Sequence, residues 1–298
     1  MYYRRKVLLA LLELFDGQLT AKQFQKYLFL FTRKQENKSF DFVPYLYGCF
    51  SFQANQDIAT LTKYEYCKIV DTEKGRFYKL TNGDHFLGML KPEDKKALIN
   101  IKEQFGYLTQ TDLVRHTYQQ YPYYAIKSII AKDLLNSEEL RAIEQQKRNY
   151  TDKQLFTIGY EGISLETYIN KLIINDVNVL CDVRKNAYSQ KYGFSKKTLE
   201  LVCKGTDIEY IHIPALGIIS DKRQELRTQT DYDLLFQEYE KTTLKENKAA
   251  LLFIRDLLDK GNRVALTCFE KDPKQCHRTC VANALIQLPE TDYKLTYL

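Results

Sequence analysis

Apolar residues at the start of the chain recur with helical spacing. The segment RRKVLLALLELF places apolar side chains on one face, and LTAKQFQKYLFLFTRKQ repeats the pattern behind Thr20, a residue type that caps helices. NQDIATLTKYEYCKIV predicts a third helix, and RFYKLT, after the turn EKGR, predicts a strand that closes a hairpin. The first 90 residues are therefore predicted to be mainly helical, with one small hairpin.

This order of elements, with the extended segment FDFVPYLYGCFS between the second helix and the third, is typical of a winged-helix module. The segment and its following helix also resemble the winged-helix-like domain of some antitoxins and phage-defence proteins. Winged helices often bind DNA, partly through phosphate contacts from the hairpin, which here carries Lys74, Arg76 and Lys79. Since other winged helices mediate protein contacts, the fold alone leaves the role open.

The pattern predicts two further regions beyond residue 90. Residues 91–150 look helical and are expected to connect the domain at 1–90 to the rest of the chain. From residue 151 onwards, short apolar strands alternate with amphipathic helices; the strands are LFTIGY, VNVLCDVR, IEYIHIP and RVALTCFE. Such strands indicate a parallel sheet with helices on both faces, so residues 151–298 are predicted to form a three-layer α/β domain.

Residues with useful chemistry follow each of the four predicted strands. Because the carboxyl ends of parallel strands meet at one edge of the sheet, where ligands bind, we expect these residues to form one site. The candidate catalytic residues are Glu161, Asp182, Glu270 and Cys276. The candidate ligand-binding residues are Gly159, Tyr160, Arg184, Ser189, His212, Cys268, His277 and Arg278.

The same stretches carry a family resemblance. The chain shows TIGYEG, LCDVR, YIHIPALG and CFEKDPKQCHR in this order, and residues 155–288 thereby resemble the domain-of-unknown-function family 488. The resemblance implies an α/β domain whose shared site contains these motifs, and it implies no particular reaction. Three positions depart from the family pattern, namely Ala187, Gln190 and Ile218, and they put the activity or the choice of substrate in doubt.

Cysteine chemistry is one candidate for the site. Cys276 opens a predicted helix, where the helix dipole and free N–H groups would lower the pKa of its thiol. A phosphatase loop needs an arginine six positions after the cysteine, but Lys274 stands there when the count starts at Cys268. Zinc is a second candidate, but C-x7-C-H-x2-C is not a usual ligand spacing. We therefore expect no metal and no other cofactor.

An anion pocket is the third candidate, and it fits the residue types best. Arg184, Arg278 and a helix N-terminus suit a phosphate, and Tyr160 would stack on a base. The carboxylates would then supply acid–base catalysis, as in the cleavage of a glycosidic bond of a nucleotide. The competing interpretation is that the same charges form a buried ion-pair network that fixes the strand ends.

Charge and composition indicate the kind of partner and the cellular compartment. Residues 1–150 contain 23 Lys and Arg against 17 Asp and Glu, whereas residues 151–298 contain 21 of each. This imbalance favours a polyanionic partner for the first half. The seven cysteines are dispersed, as expected of reduced thiols. Glu13 and Asp16 interrupt the first apolar stretch, so we expect an amphipathic helix rather than a signal peptide, and a cytoplasmic protein with no membrane partner.

The sequence is consistent with two functions. The first is a nucleic-acid-associated enzyme, in which the first half binds nucleic acid, DNA being expected, and the α/β half binds and hydrolyses a nucleotide or nucleic acid. The alternative is a non-catalytic DNA-binding regulator whose α/β half senses a nucleotide-like ligand. The oligomeric state does not follow from the sequence.

Overall fold

The computed structural model describes residues 1–73, 75–81, 85–219 and 226–298. The chain divides into two compact units, Met1–Lys147 and Arg148–Leu298. Within the described ranges, no helix combines the length and the apolar character that crossing a bilayer requires.

The first unit is mainly helical, with short strands between its helices. Its elements are α1 Tyr3–Leu14, β1 Gln18–Thr20, α2 Ala21–Thr32, β2 Val43–Tyr45, β3 Gly48–Phe50, α3 Phe52–Lys63, β4 Cys67–Thr72, β5 Gly75–Leu80, α4 Pro92–Phe105, α5 Gln110–Gln120, α6 Ala131–Leu134 and α7 Ser137–Glu144. Strands β1, β5 and β4 form an antiparallel sheet in that order, and β2 pairs with β3.

The predicted third helix is too long. It ends at Lys63, and the CKIV part of the segment belongs to strand β4, which pairs with β5 across the hairpin. Glu65 has a positive φ of 60°, which turns the chain between the two elements. The β-branched pair Ile69 and Val70 then favours the extended conformation, a signal that the helical spacing before it had masked.

One apolar core holds the first unit together. Helix α1 is buried from Val7 to Leu12, and α2 adds a row of aromatic side chains, including Phe24 and Phe31. Leu98 of α4 and Leu113 of α5 belong to the same core, so both helices pack against the earlier elements.

The second unit is the α/β domain that the sequence predicts. Its elements are β6 Gln154–Gly159, α8 Leu165–Ile174, β7 Val179–Asp182, α9 Lys196–Lys204, β8 Glu209–His212, α10 Gln229–Tyr239, a π-helical turn Glu240–Leu244, α11 Lys248–Asp259, β9 Arg263–Cys268, α12 Arg278–Ile286 and β10 Lys294–Tyr297. All neighbouring strands run parallel, in the order β10-β6-β9-β7-β8.

Both faces of this sheet are covered. On one face, Leu155 and Val264 pack with apolar residues of α11 and α12. The alternate residues Phe156 and Ile158 of β6 are equally buried, as is Ala265 of β9. The strand β10 is an addition to the four predicted strands. It is short and partly exposed at the edge of the sheet, which explains why its pattern gave no strand prediction.

Candidate functional site

A cavity of about 350 Å³ lies at the carboxyl ends of the strands in the second unit. Residues that follow β6, β7 and β9 line it, as expected when parallel strands end at one edge. Six residues predicted for the site lie here: Tyr160, Arg184, Ser189, Cys268, Glu270 and His277. The sequence therefore identified the edge of the sheet at which a cavity is found.

Asp182 and Arg184 form a buried ion pair instead of facing a ligand. Nε of Arg184 donates to Oδ1 of Asp182 at 2.8 Å, Nη2 donates to the other carboxylate oxygen, and Nη1 donates to the Tyr160 hydroxyl at 2.7 Å. The Asp182 carboxylate also accepts from Tyr210 and is fully buried. Burial alone would lower the pKa of Arg184, but the bonds and charge of Asp182 outweigh it and raise that pKa.

Two expectations are corrected by this ion pair. Asp182 was a candidate catalytic residue, but its carboxylate is sealed from solvent and accepts four hydrogen bonds, three from Arg184 (its backbone N–H, Nε and Nη2) and one from Tyr210. Arg184 was expected to bind an anion, but each of its side-chain nitrogens already donates to a protein oxygen. The pair anchors the chain just after β7, as the ion-pair interpretation expected of these two residues, whereas Arg278 of the same expected network donates to backbone carbonyls.

Tyr160 borders the cavity without offering its ring for stacking on a base. Its ring stacks on Phe194, with centroids 4.2 Å apart and planes 8° from parallel, and only 3% of the residue is exposed. Burial raises the pKa of its hydroxyl, which stays neutral and accepts the hydrogen bond from Arg184. The expected base-stacking role is therefore wrong in this conformation, because Phe194 occupies the ring face.

The loop after β9 is fixed by residues that were expected to bind a ligand. Arg278 is buried, and its guanidinium donates to the backbone carbonyls of Glu270 and Lys271 at 2.6 and 3.2 Å. The Glu161 carboxylate accepts from the Lys271 N–H at 2.9 Å. A Cβ on Gly159 would lie 1.9 Å from the Glu270 carbonyl oxygen, so only glycine permits this approach.

These contacts correct the predicted roles of Arg278, Glu161 and Gly159. An anion held between Arg184 and Arg278 would compete with the protein oxygen atoms that already accept from both guanidinium groups, and Nε of Arg278, which is buried, has no such partner among the described residues. Glu161 is exposed and is not among the residues that line the cavity. The glycine serves close packing of the backbone, which holds Glu270 at the cavity wall.

Cys268, Cys276 and His277 meet beside the cavity. One ligand atom from each residue lies within 4.8 Å of the other two, and all three residues are buried. Nε2 of His277 lies 2.9 Å from the Val183 carbonyl oxygen. Because a carbonyl oxygen only accepts, Nε2 carries the proton in the neutral ring, and the unprotonated Nδ1 lies 3.8 Å from Sγ of Cys268.

The structure overturns two arguments about this cluster. The spacing C-x7-C-H-x2-C argued against a set of metal ligands, but the 3₁₀ turn Pro273–Gln275 folds the loop back and brings Cys268 and Cys276 together. Cys276 precedes α12, and burial raises the pKa of its thiol well above the usual value instead of lowering it. A buried, protonated thiol is a poor nucleophile, which disfavours the catalytic role predicted for Cys276.

The remaining predicted residues lie around the cavity or behind it. Ser189 lines the cavity, and its hydroxyl accepts from the backbone N–H of Lys191. His212 contacts the Arg184 carbonyl through Nε2 at 2.9 Å and is not among the lining residues, so it supports the chain after β7. A Cβ on Gly217 would lie 2.0 Å from the Lys185 nitrogen, which brings the following Ile218 against the cavity.

Sequence reasoning missed several residues of the cavity wall, including Lys185, Asn186, Lys191 and Phe269. Phe269 lies inside the quoted motif CFEKDPKQCHR, and Lys185 and Asn186 directly follow LCDVR, so attention to these neighbouring positions would have found three of the four. Tyr188, which follows the second strand, is 71% exposed, and Phe269 is 41% exposed. The accessible aromatic rings of the cavity are therefore these two, among the residues that the structure describes.

The hairpin residues of the first unit form a separate candidate surface. Lys74 lies outside the described residues. Arg76 is exposed, but its guanidinium donates to Asp71 at 2.8 and 3.1 Å, so its charge is balanced on the hairpin itself. Lys79 of β5 lies directly opposite Lys68 of β4.

The match to known families falls on the second unit. It begins at the N-cap of α8 and ends in α12, so it contains β7, β8, β9 and most of the cavity wall. Residues 164–285 match the DUF488 family. DUF488 is a domain of unknown function, so the match supports the α/β region without assigning an activity. The TIGYEG motif lies outside the DUF488 match. No curated protein and no solved structure matches the chain significantly.

Proposed function

We propose that the second unit binds and hydrolyses a nucleotide, free or within a nucleic acid, in the cavity at the strand ends. The observation that carries the proposal is the mixture of side chains in that one cavity. The exposed rings of Tyr188 and Phe269 lie with the cation of Lys185 and the carboxylate of Glu270 along its wall. A volume of about 350 Å³ is in the range of small-ligand sites.

Each class of side chain suits one part of a nucleotide. Exposed aromatic rings stack on a base, and lysine ammonium groups attract a phosphate as mobile point charges. Lys185 is exposed on the cavity wall, whereas the guanidinium groups of Arg184 and Arg278 are hydrogen-bonded to protein oxygen atoms. We therefore assign to Lys185 the phosphate-binding role that was predicted for the two arginines.

Glu270 is the residue that we assign to acid–base catalysis. It is half-buried on the cavity wall, and Oε2 accepts from the Cys268 thiol at 3.3 Å. As a carboxylate, the group there can take a proton from an attacking water, and as a carboxylic acid it can give one to a leaving base, as in glycosidase-like chemistry. Asp182 and Glu161 are held in structural contacts, which leaves Glu270 as the acidic candidate inside the cavity among the described residues.

The test measures binding and turnover separately on the full chain. Calorimetry with a panel of nucleotides and short oligonucleotides should give binding that weakens about tenfold in Tyr188→Ala, because stacking contributes about 1–3 kcal/mol per base. Lys185→Ala should weaken binding, whereas Lys197→Ala, an exposed lysine on α9 away from the cavity, should not. Glu270→Gln should keep binding and abolish release of base or phosphate, followed by chromatography.

Two outcomes decide between the candidate functions. Binding without turnover in the unmutated chain supports the regulator alternative, in which the cavity senses a ligand. Absence of binding across the whole panel at millimolar ligand rejects the nucleotide site altogether.

A second function is favoured by the hairpin of the first unit. We propose that this unit is a winged-helix module that binds nucleic acid through phosphates. The sheet order β1-β5-β4, with α1, α2 and α3 before the hairpin, supports the winged-helix assignment. Lys68 and Lys79 are directly opposed on neighbouring strands, an arrangement that is unfavourable unless an anion or solvent compensates it.

Salt dependence tests this second function. Affinity for a DNA duplex should fall steeply with salt, and replacing Lys68 and Lys79 with Gln should reduce the slope of log affinity against log salt by about 0.9 per lost phosphate contact. Lys96→Gln, an exposed lysine on α4, is the matched control and should leave the slope unchanged. A slope identical in all variants would show that the hairpin lysines do not contact phosphates.

A further inference from the structure

The cluster of Cys268, Cys276 and His277 has the composition and spacing of a metal site. We propose that these three residues bind a zinc ion at the wall of the cavity, contrary to the expectation drawn from sequence spacing. The ligand atoms lie within 4.8 Å of one another, on the buried end of β9 and on the loop before α12. This proposal does not depend on the cavity binding a nucleotide.

Distances between the ligand atoms fit a tetrahedral zinc ion. Bond lengths of about 2.3 Å to sulfur and about 2.0 Å to nitrogen place two ligand sulfurs about 3.8 Å apart, and sulfur and nitrogen about 3.6 Å apart. Sγ of Cys268 and Nδ1 of His277 are 3.8 Å apart. This distance is close to the value that a tetrahedral zinc ion requires, and the remaining ligand atoms lie within 4.8 Å of one another.

The imidazole of His277 is already oriented as a metal ligand. Its Nε2–H donates to the Val183 carbonyl, and this leaves the lone pair of Nδ1 on the side of the two thiols. Zinc-bound histidines almost always donate their other ring N–H to a carbonyl or carboxylate, which fixes the tautomer and the ring plane. This bond is an observation independent of the three ligand positions.

Charge and burial are both compatible with zinc at the cluster. Cys268, Cys276 and His277 are each at most 2% exposed, so charges here are expensive unless they are compensated. Two thiolates and one Zn²⁺ give a neutral centre, which the buried position tolerates. Thiolate and imidazole ligands suit zinc better than magnesium or calcium.

The proposed site has three protein ligands and borders the cavity. Cys268 and His277 are themselves part of the cavity wall, beside Glu270. Zinc sites with three protein ligands keep a fourth position for water or substrate, whereas purely structural sites use four protein ligands. We therefore assign the site to the reactive class, in which a bound zinc would have a fourth position for water or substrate beside the cavity.

Metal content of the full chain tests the proposal. The chain, purified with reductant and without chelator, should contain one zinc per chain by elemental analysis. Cys268→Ser, Cys276→Ser and His277→Gln should each lose it, with circular dichroism as the check on folding. Cys280→Ser is the matched control, because Cys280 is buried two residues into α12 but lies outside the cluster, and it should retain the metal.

A second measurement needs no variant. Cobalt added to metal-free chain should produce the thiolate-to-cobalt charge-transfer band and the intense visible absorption of a tetrahedral site. Absence of zinc together with absence of these bands would overturn the proposal. So would equal metal loss in Cys280→Ser, or a disulfide between Cys268 and Cys276 in protein kept under reductant.

Discussion

Replacing Arg184 with Met should destabilise the second unit severely. The substitution keeps most of the side-chain volume and removes the charge that compensates Asp182. Only 6% of the Arg184 side chain and none of the Asp182 side chain is exposed, so water cannot take over the role of the guanidinium. The Asp182 carboxylate would keep only Tyr210 among the side-chain donors it has now.

The expected magnitude follows from this burial. Leaving one partner of a buried pair uncompensated costs about 3–5 kcal/mol. Domains of this size are stable by about 5–15 kcal/mol, so the loss would remove a large part of the free energy of unfolding. The double variant Asp182→Asn/Arg184→Met should recover much of the loss, because it removes the orphaned charge as well. The exposed pair Lys260–Asp256 is the control, and Lys260→Met should cost at most about 0.5 kcal/mol.

Hydrogen exchange followed by mass spectrometry is the appropriate assay, because it reports the two units separately. Peptides from β7 and β8 should lose protection in Arg184→Met and regain part of it in the double variant. Peptides from α1 and α2 should be unaffected. If Arg184→Met leaves the second unit as stable as the Lys260→Met control does, the ion pair is not a structural anchor, and its role at the cavity must be reconsidered.

Three further predictions concern other parts of the chain. Gly159→Ala should lower the melting temperature, because overpacking against the Glu270 carbonyl costs about 1–3 kcal/mol. Gly88→Ala is the control and should be nearly neutral, because a Cβ added at Gly88 would meet open space. Asn136→Ala should cost about 1 kcal/mol, since Asn136 caps α7, and faster hydrogen exchange confined to α7 would show it. Burial lowers the pKa of His116 below its usual 6.5. Below pH 6.5 the unfolded chain therefore binds more protons than the folded chain, and the free energy of unfolding should fall as the pH drops. Urea unfolding at pH 7.5 and pH 5 should show a smaller fall in His116→Phe, and an equal fall in both proteins would contradict this assignment.

The sequence alone determined the class of fold and the edge of the sheet at which the cavity lies. Apolar strands that alternate with helices are buried when they form a parallel sheet with helices on both faces. The carboxyl ends of parallel strands lie at one edge of such a sheet. Those local rules were sufficient for β6, β7, β8 and β9. They failed for the short edge strand β10 and for β4, where pairing with a neighbouring strand decides the conformation.

Only the tertiary structure decided what each polar residue at that edge does. Sequence spacing cannot show that Arg184 forms an ion pair with Asp182, or that Arg278 donates hydrogen bonds to backbone carbonyls of the loop after β9. Sequence spacing also does not predict the contact of Cys268 with Cys276 and His277, because that contact depends on a loop that folds back over the end of β9. Residue type gives the chemistry that a side chain is capable of, whereas burial and hydrogen-bond partners determine whether that chemistry remains available to a ligand.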